Sequence, residues 1–143
     1  MRIKGQCHCG NLRYWLETNK SWKDITLRVC RCGFCLRHRP RYWSDPAGQL
    51  SVDVSNPARL LLYRFGHGTA DFVLCLGCGV FCFAVAQGEQ GWVAVTNLNL
   101  ALGRESTLEE AFIEALEENE SQRNARRAAN WTPLVSTWPP GTE

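Results

Sequence analysis

The distribution of cysteine constrains this chain more than any other feature of its sequence. Seven of its eight cysteines fall in three short groups. The groups are Cys7-His8-Cys9, Cys30-Arg31-Cys32-Gly33-Phe34-Cys35 and Cys75-Leu76-Gly77-Cys78. Sulfurs so close in sequence can reach one tetrahedral ion at ~2.3 Å, and a nearby glycine (Gly10, Gly33 or Gly79) lets the backbone turn tightly around it. The grouping predicts that bound zinc supplements the hydrophobic core, whereas scattered cysteines would indicate ordinary reduced core residues.

The three groups divide into two predicted zinc sites. Two widely separated pairs supply the four thiolates that a structural zinc requires. These are Cys7, Cys9, Cys75 and Cys78. The middle group offers three ligands, Cys30, Cys32 and Cys35, and three protein ligands leave the open position typical of a catalytic zinc. Spacing alone leaves another pairing open, in which Cys30 and Cys32 join Cys75 and Cys78.

The cellular compartment affects whether the cysteines bind metal or form disulfides. A cysteine occurs at position 7, before any apolar run could form a signal peptide, and no segment is apolar enough to span a membrane. We therefore expect a cytoplasmic protein with no membrane partner. Thiols stay reduced in that compartment, which favours metal ligation over a disulfide framework.

Composition predicts one globular domain spanning residues 1–143. The chain is 45% hydrophobic and 21% charged, which is enough apolar side chain for one core and too little charge for disorder. The formal net charge is +2, but two Zn²⁺ ions and seven thiolates would bring it to −1. We therefore expect no nucleic-acid partner.

Apolar periodicity predicts a mostly β fold with one C-terminal helix. Apolar runs bounded by turn residues occur at 12–16, 50–54, 60–65, 72–76, 80–86 and 92–98. Thr107-Leu108-Glu109-Glu110 has the pattern of a capping box, and Leu108, Ala111, Phe112, Ala115 and Leu116 share one helical face. These signals predict a helix from about residue 106 to about residue 128, with a solvated polar face.

Three motifs together resemble a known family. They are Gly5-Gln6-Cys7-His8-Cys9-Gly10-Asn11-Leu12-Arg13-Tyr14, Cys30-x-Cys32-x-x-Cys35 and Leu74-Cys75-x-x-Cys78-Gly79. They resemble the glutathione-dependent formaldehyde-activating enzymes, a family that includes centromere protein V. The resemblance implies a zinc-stabilised β-tent fold, a structural zinc on Cys7, Cys9, Cys75 and Cys78, and a second zinc on Cys30, Cys32 and Cys35 beside a thiol substrate. Arg31 and Leu36 stand where the family commonly has His and Arg.

Five arginines surround the middle group, and no acidic residue occurs between positions 28 and 44. They are Arg28, Arg31, Arg37, Arg39 and Arg41. Arg31, Arg37 and Arg39 are the predicted substrate-binding residues, because a positive field favours thiolates and attracts an anionic ligand. The alternative is a solvated basic loop or a phosphate-binding patch. Cys82, His38 and His67 are candidates to close the second zinc site, although each has an ordinary structural explanation.

Two functions fit these expectations. In the first, the middle cysteines form the catalytic centre of a carbon–sulfur lyase that acts on a small thiol or its aldehyde adduct, of the glutathione and formaldehyde type. In the second, both zinc ions are structural and the domain binds a protein or nucleic acid. The fourth position at the second zinc distinguishes the two.

Overall fold

A computed structural model of the chain describes residues 1–113 and 117–141. Within these ranges the chain forms eleven strands and two α-helices. The strands are β1 (Arg2–Gln6), β2 (Leu12–Glu17), β3 (Thr26–Val29), β4 (Tyr42–Trp43), β5 (Gln49–Val54), β6 (Leu60–Tyr63), β7 (Ala70–Cys75), β8 (Phe81–Gly88), β9 (Gly91–Asn97), β10 (Glu109–Phe112) and β11 (Thr132–Pro133). The helices are α1 (Gly33–His38) and α2 (Glu120–Asn130). The fold is mostly β with a helix near the C terminus, as predicted.

The described strands form two sheets. Strands β1, β2 and β5 make a small antiparallel sheet. The large sheet has the order β10-β3-β4-β9-β8-β7-β6, and β11 also pairs with β9. All of its pairs are antiparallel except β10 with β3. The six strands predicted from apolar runs are confirmed.

The centre of the large sheet is buried on both faces, whereas its edge strands β6 and β10 are mostly exposed. Along β8, Phe83 and Val85 belong to one core cluster, whereas Ala84 and Ala86 belong to another. Successive side chains of a strand point to opposite faces, so the two clusters lie on opposite sides of the sheet. This explains why β8 is a continuous apolar run rather than an alternating one. The small sheet packs on the first face, and the side chains of α1 and of Trp131 after α2 pack on the second.

The predicted helix from about residue 106 is wrong in its first part. Glu109–Phe112 is strand β10, which pairs in parallel with Thr26–Val29. The edge of β3 has backbone groups that need partners, and this tertiary demand outweighs the local capping pattern at Thr107. The helix instead begins at Glu120, where Asn119 and Gln122 form a reciprocal capping box. Ala115 and Leu116, which the prediction placed on the helix face, lie outside the described residues.

Candidate metal centres

The fold brings the seven grouped cysteines into two clusters. Within each cluster, the sulfur atoms all lie within 4.8 Å of one another. The first cluster contains Cys7, Cys9, Cys75 and Cys78, and the second contains Cys30, Cys32 and Cys35. The alternative pairing of Cys30 and Cys32 with Cys75 and Cys78 is therefore not the one that the fold adopts. Both clusters could hold a metal ion.

Two similar backbone turns build the four-cysteine cluster. One turn follows β1, and its Cys7 N–H donates to the Leu12 carbonyl at 3.0 Å. The other turn follows β7, and its Cys75 N–H donates to the Val80 carbonyl at 3.0 Å. Each turn contains a glycine in the left-handed region, Gly10 at φ 82° and Gly79 at φ 77°. The two turns converge because β1 and β7 belong to sheets that pack on one core.

The spacing of the first cluster fits a tetrahedral ion. Four sulfurs at ~2.3 Å from such an ion are separated by ~3.8 Å. The Cys7 and Cys9 sulfurs are 3.8 Å apart, and those of Cys9 and Cys75 are 3.6 Å apart. A Cβ at Gly77 would lie 3.3 Å from the Cys9 sulfur and 3.5 Å from the Cys75 sulfur, so glycine keeps this space open for the thiols.

The surroundings of the first cluster are largely apolar. Cys7 and Cys75 are fully buried in the core cluster between the sheets. Burial raises the pKa of Cys7 to about 11, and the neighbouring thiols add to this rise. At Cys78 burial acts in the same direction, but backbone and thiol hydrogen bonds outweigh it and lower the pKa to about 6. A bound cation would favour the thiolate form of all four residues.

One short segment supplies the three-cysteine cluster. Cys30 follows β3, Cys32 caps α1, and Cys35 lies one turn into that helix. The Cys35 N–H donates to the Cys32 sulfur at 3.4 Å. Gly33 begins the helix instead of forming a left-handed turn of the kind that Gly10 and Gly79 provide. Within the described residues, this cluster has three thiols and no fourth cysteine, histidine or carboxylate.

The three thiols shift one another's pKa through mutual hydrogen bonds. Hydrogen bonds from Cys30 and Cys35 lower the pKa of Cys32 to about 2. The hydrogen bond with Cys32 raises the pKa of Cys30, and hydrogen bonds with the other two thiols raise the pKa of Cys35. The Tyr42 hydroxyl lies 3.1 Å from the Cys35 sulfur. Burial raises the pKa of Tyr42 well above its usual range, so this hydroxyl keeps its proton and can donate to a Cys35 thiolate.

A cavity of about 170 Å³ adjoins the second cluster, and all three thiols line it. Its other walls are apolar and basic side chains from the large sheet, from the segment after β10 and from α2. They are Arg28, Tyr42, Phe65, Phe72, Ala84, Val95, Ile113, Arg123, Arg126, Arg127, Asn130 and Trp131. A metal ion held by the three thiols would therefore be accessible from this cavity.

The arginines predicted from the basic loop lie elsewhere. Arg31 stacks over the Phe112 ring at 4.3 Å, and Arg37 donates to the Gly33 carbonyl at 2.7 Å. Arg39 ends α1 in a left-handed conformation at φ 52°. These three side chains are exposed and are not among those that line the cavity. Of the basic residues noted around the middle group, Arg28 alone lines it.

The candidate fourth ligands also lie outside the second cluster. Cys82 is fully buried, and its thiol donates to the Val80 carbonyl at 3.3 Å. The His38 ring stacks on Phe34 with a centroid separation of 4.4 Å. His67 Nε2 lies 3.3 Å from the Glu118 carbonyl oxygen.

Sequence reasoning missed three of the four cavity arginines. Arg123, Arg126 and Arg127 lie on α2, in a segment interpreted as a solvated helix face. Their separations of three and four residues place them on one side of a helix, and this spacing is a signal that could have found them. The contact of Tyr42 with Cys35 was not predicted either.

Comparisons with known proteins bear on the fold. No protein-family model matches the chain, and the comparison with curated proteins gives no significant match either. The chain is similar to the crystal structure of a Rhodobacter sphaeroides protein that was a structural genomics target. The two chains are 25% identical, and the match covers 76% of this chain and 99% of the other with a TM-score of 0.57. The resemblance to the formaldehyde-activating enzymes thus stays a prediction.

Among the described residues, neither helix has the length and apolar character needed to cross a bilayer.

Proposed function

We propose that the protein is a zinc-dependent carbon–sulfur lyase acting on a small thiol or its aldehyde adduct. The observation that carries this proposal is the second cluster, where three thiols without a fourth ligand in the described part line a cavity. A zinc held by three protein ligands keeps a position for substrate, whereas a four-thiolate zinc is closed. The resemblance of the three motifs to the formaldehyde-activating enzymes supports the same assignment.

In this proposal the four-cysteine cluster holds a structural zinc, and Cys30, Cys32 and Cys35 hold the catalytic one. Zinc in the second cluster would bind the substrate sulfur and lower its pKa, so that the thiolate is available at neutral pH. A cytoplasmic location would keep all seven ligand thiols reduced. The apolar walls of the cavity would contact the carbon atoms of the substrate, and Tyr42 holds the Cys35 sulfur in place.

The proposed reaction joins a thiol and an aldehyde. The thiol loses its proton to solvent, and its sulfur forms a bond with the carbonyl carbon. The carbon–oxygen π electrons move to oxygen, which takes up one proton to give a hydroxymethyl thioether when the aldehyde is formaldehyde. The reverse reaction breaks the same carbon–sulfur bond and returns the two reactants.

Cobalt substitution tests whether the second site binds sulfur. Glutathione, cysteine and a thiol-free glutathione analogue are titrated against the cobalt protein, and the cobalt–sulfur absorption band is followed. We expect the thiols to change the band and the analogue to leave it unchanged. The matched control is Cys32→Ser, which keeps the four-cysteine site as a constant background and should show no thiol response. If no thiol alters the spectrum of the unsubstituted chain, both metals are structural and the zinc-stabilised binding module is the better account.

A further inference from the structure

Four arginines make one wall of the cavity positively charged. They are Arg28, Arg123, Arg126 and Arg127, and no acidic residue is among the described residues that line the cavity. Burial, together with the neighbouring Arg123 and Arg126, lowers the pKa of Arg127 to about 10. The Arg127 cation is thus disfavoured by its surroundings, and a bound anion would relieve this.

Two of these arginines have unsatisfied buried donors. Arg127 is 7% exposed, its Nη1 donates to Thr69 Oγ1 at 2.9 Å, and its guanidinium lies 4.9 Å from the Trp131 ring centre. Its buried Nε has no hydrogen-bond partner in the described structure. Arg28 Nη2 donates to the Ser44 hydroxyl, while its buried Nε likewise has no partner. A carboxylate is the acceptor that best matches a guanidinium, and a ligand in the cavity would meet the side chains of both arginines.

The other two arginines are partly neutralised by one acidic residue. Glu118 accepts from Arg126 Nε at 2.8 Å and from Arg126 Nη2 at 3.0 Å. Its carboxylate also lies 3.7 Å from Arg123 Nε. Glu118 can offset only one of the four positive charges. Two of the three remaining positive charges belong to Arg28 and Arg127.

The volume of the cavity limits the size of its ligand. The cavity volume of about 170 Å³ is close to the ~150 Å³ that holds one benzene molecule. Pockets for larger ligands have volumes of roughly 300 Å³ or more. A ligand with roughly six to ten non-hydrogen atoms therefore fits within the walls, whereas a tripeptide thiol such as glutathione would extend outside them.

We propose that the substrate of the second site is a compact thiol with a carboxylate a few bonds from its sulfur. Its sulfur lies toward Cys30, Cys32 and Cys35, its carboxylate is held by Arg28 and Arg127, and its carbon chain contacts the apolar walls. The part of this inference that concerns the thiol rests on the proposed function. The part that concerns the carboxylate rests on the cavity alone, and it predicts that a carboxylate without a thiol also binds.

Calorimetric titration of the zinc-loaded protein tests the two halves separately. The probes are 3-mercaptopropionate, which has both groups, 2-mercaptoethanol, which lacks the carboxylate, and propionate, which lacks the thiol. We expect 3-mercaptopropionate to bind at least tenfold more tightly than either of the others and than glutathione. In Arg127→Gln, its affinity should fall at least tenfold, propionate binding should be lost, and mercaptoethanol binding should change less than twofold.

Matched variants separate a local effect from a general change of charge. Arg2→Gln removes an exposed arginine that pairs with Glu17 on the small sheet, and it should change no affinity by more than twofold. Arg28→Gln should reproduce the loss seen with Arg127→Gln, and it keeps the test available if the latter variant does not fold. Arg127→Lys should recover only part of the affinity, because an ammonium lacks the planar fork of guanidinium.

Specific results would overturn the inference. If the affinity for 3-mercaptopropionate is unchanged in both Arg28→Gln and folded Arg127→Gln, these arginines do not bind the carboxylate. If that affinity falls instead in an Arg37→Gln, Arg39→Gln double variant, the carboxylate binds at the basic loop and not in the cavity. If thiols bind through sulfur in the cobalt protein but carboxylate has no effect, the proposed function stands and this inference fails. If propionate binding depends on Arg127 but no thiol changes the cobalt spectrum, the arginine site stands and the proposed function fails.

Discussion

The four-cysteine and three-cysteine clusters lie on opposite faces of the same large sheet, and they differ in where their ligands come from. Cys7 and Cys75 of the first cluster come from distant parts of the sequence and are fully buried between the two sheets. The ligands of the second lie within six consecutive residues, and Cys35 belongs to the core cluster on the other face. A metal in the first cluster would cross-link distant strands, whereas a metal in the second would order one short helix.

The surroundings differ as much as the connectivity. In the first cluster, Gly77 lies close to the sulfurs of Cys9 and Cys75, and two of the four cysteines, Cys7 and Cys75, are buried in the core. The second cluster faces a cavity with four arginines and several aromatic side chains. The same ligand atom can therefore serve folding where it joins distant strands and substrate binding where a cavity reaches it.

Cys7→Ser should have the largest effect of the substitutions that test this contrast. It removes a ligand whose metal-binding free energy contributes directly to folding, on the order of 10 kcal/mol. We expect an insoluble or unfolded protein, as measured by zinc content and thermal unfolding followed by circular dichroism. The control is Cys82→Ala, which alters a buried cysteine outside the cluster and should cost on the order of 1 kcal/mol. A soluble Cys7→Ser protein with full zinc content and an unchanged melting temperature would contradict the structural assignment.

Cys32→Ser should have an intermediate effect, confined to one metal. Serine can still cap α1, so the helix should persist while the second cluster loses a ligand. We expect the zinc content to fall from two ions to one and the melting temperature to fall by less than about 5 °C, given ~3 °C per kcal/mol for a domain of this size. Mild chelation of the unsubstituted protein should give the same one-zinc, folded state. Loss of both metals together with unfolding would remove the distinction between the sites.

Tyr42→Phe should have the smallest effect. It deletes the hydroxyl that contacts the Cys35 sulfur but keeps the ring, which packs edge-on against Phe81 at 6.0 Å. We expect zinc affinity at the second site to fall by about tenfold, as for other outer-shell hydrogen bonds, with an unchanged fold. Competition with a chelator measures this. Tyr63→Phe is the control, because its ring stacks on Phe34 and Phe65. Equal affinities in both variants would show that the Tyr42 hydroxyl does not support the metal.

Six strands, β2 and β5 to β9, were predictable because their sequences are apolar runs. The other five described strands were not predicted. Strands β4 and β11 have two residues each, β10 is exposed throughout, and β1 and β3 have polar residues at their exposed positions. The composition of Glu109–Phe112 is compatible with a helix, and only the proximity of the β3 edge makes it a strand. Helix α1 was also missed, since Gly33 and the cysteines around it suggested a turn.

The sequence by itself determined which cysteines lie close together, because close spacing brings the sulfurs of one group toward a common point. Spacing left open which groups share an ion, and it did not determine what surrounds the thiols. Arg28 and Arg127 are about two thirds of the chain apart in sequence, and they line one cavity only because β3 lies in the large sheet and α2 packs on its second face. The pairing of distant groups, and the charge and volume of the space around them, depend on contacts between distant segments, which the tertiary structure alone decides.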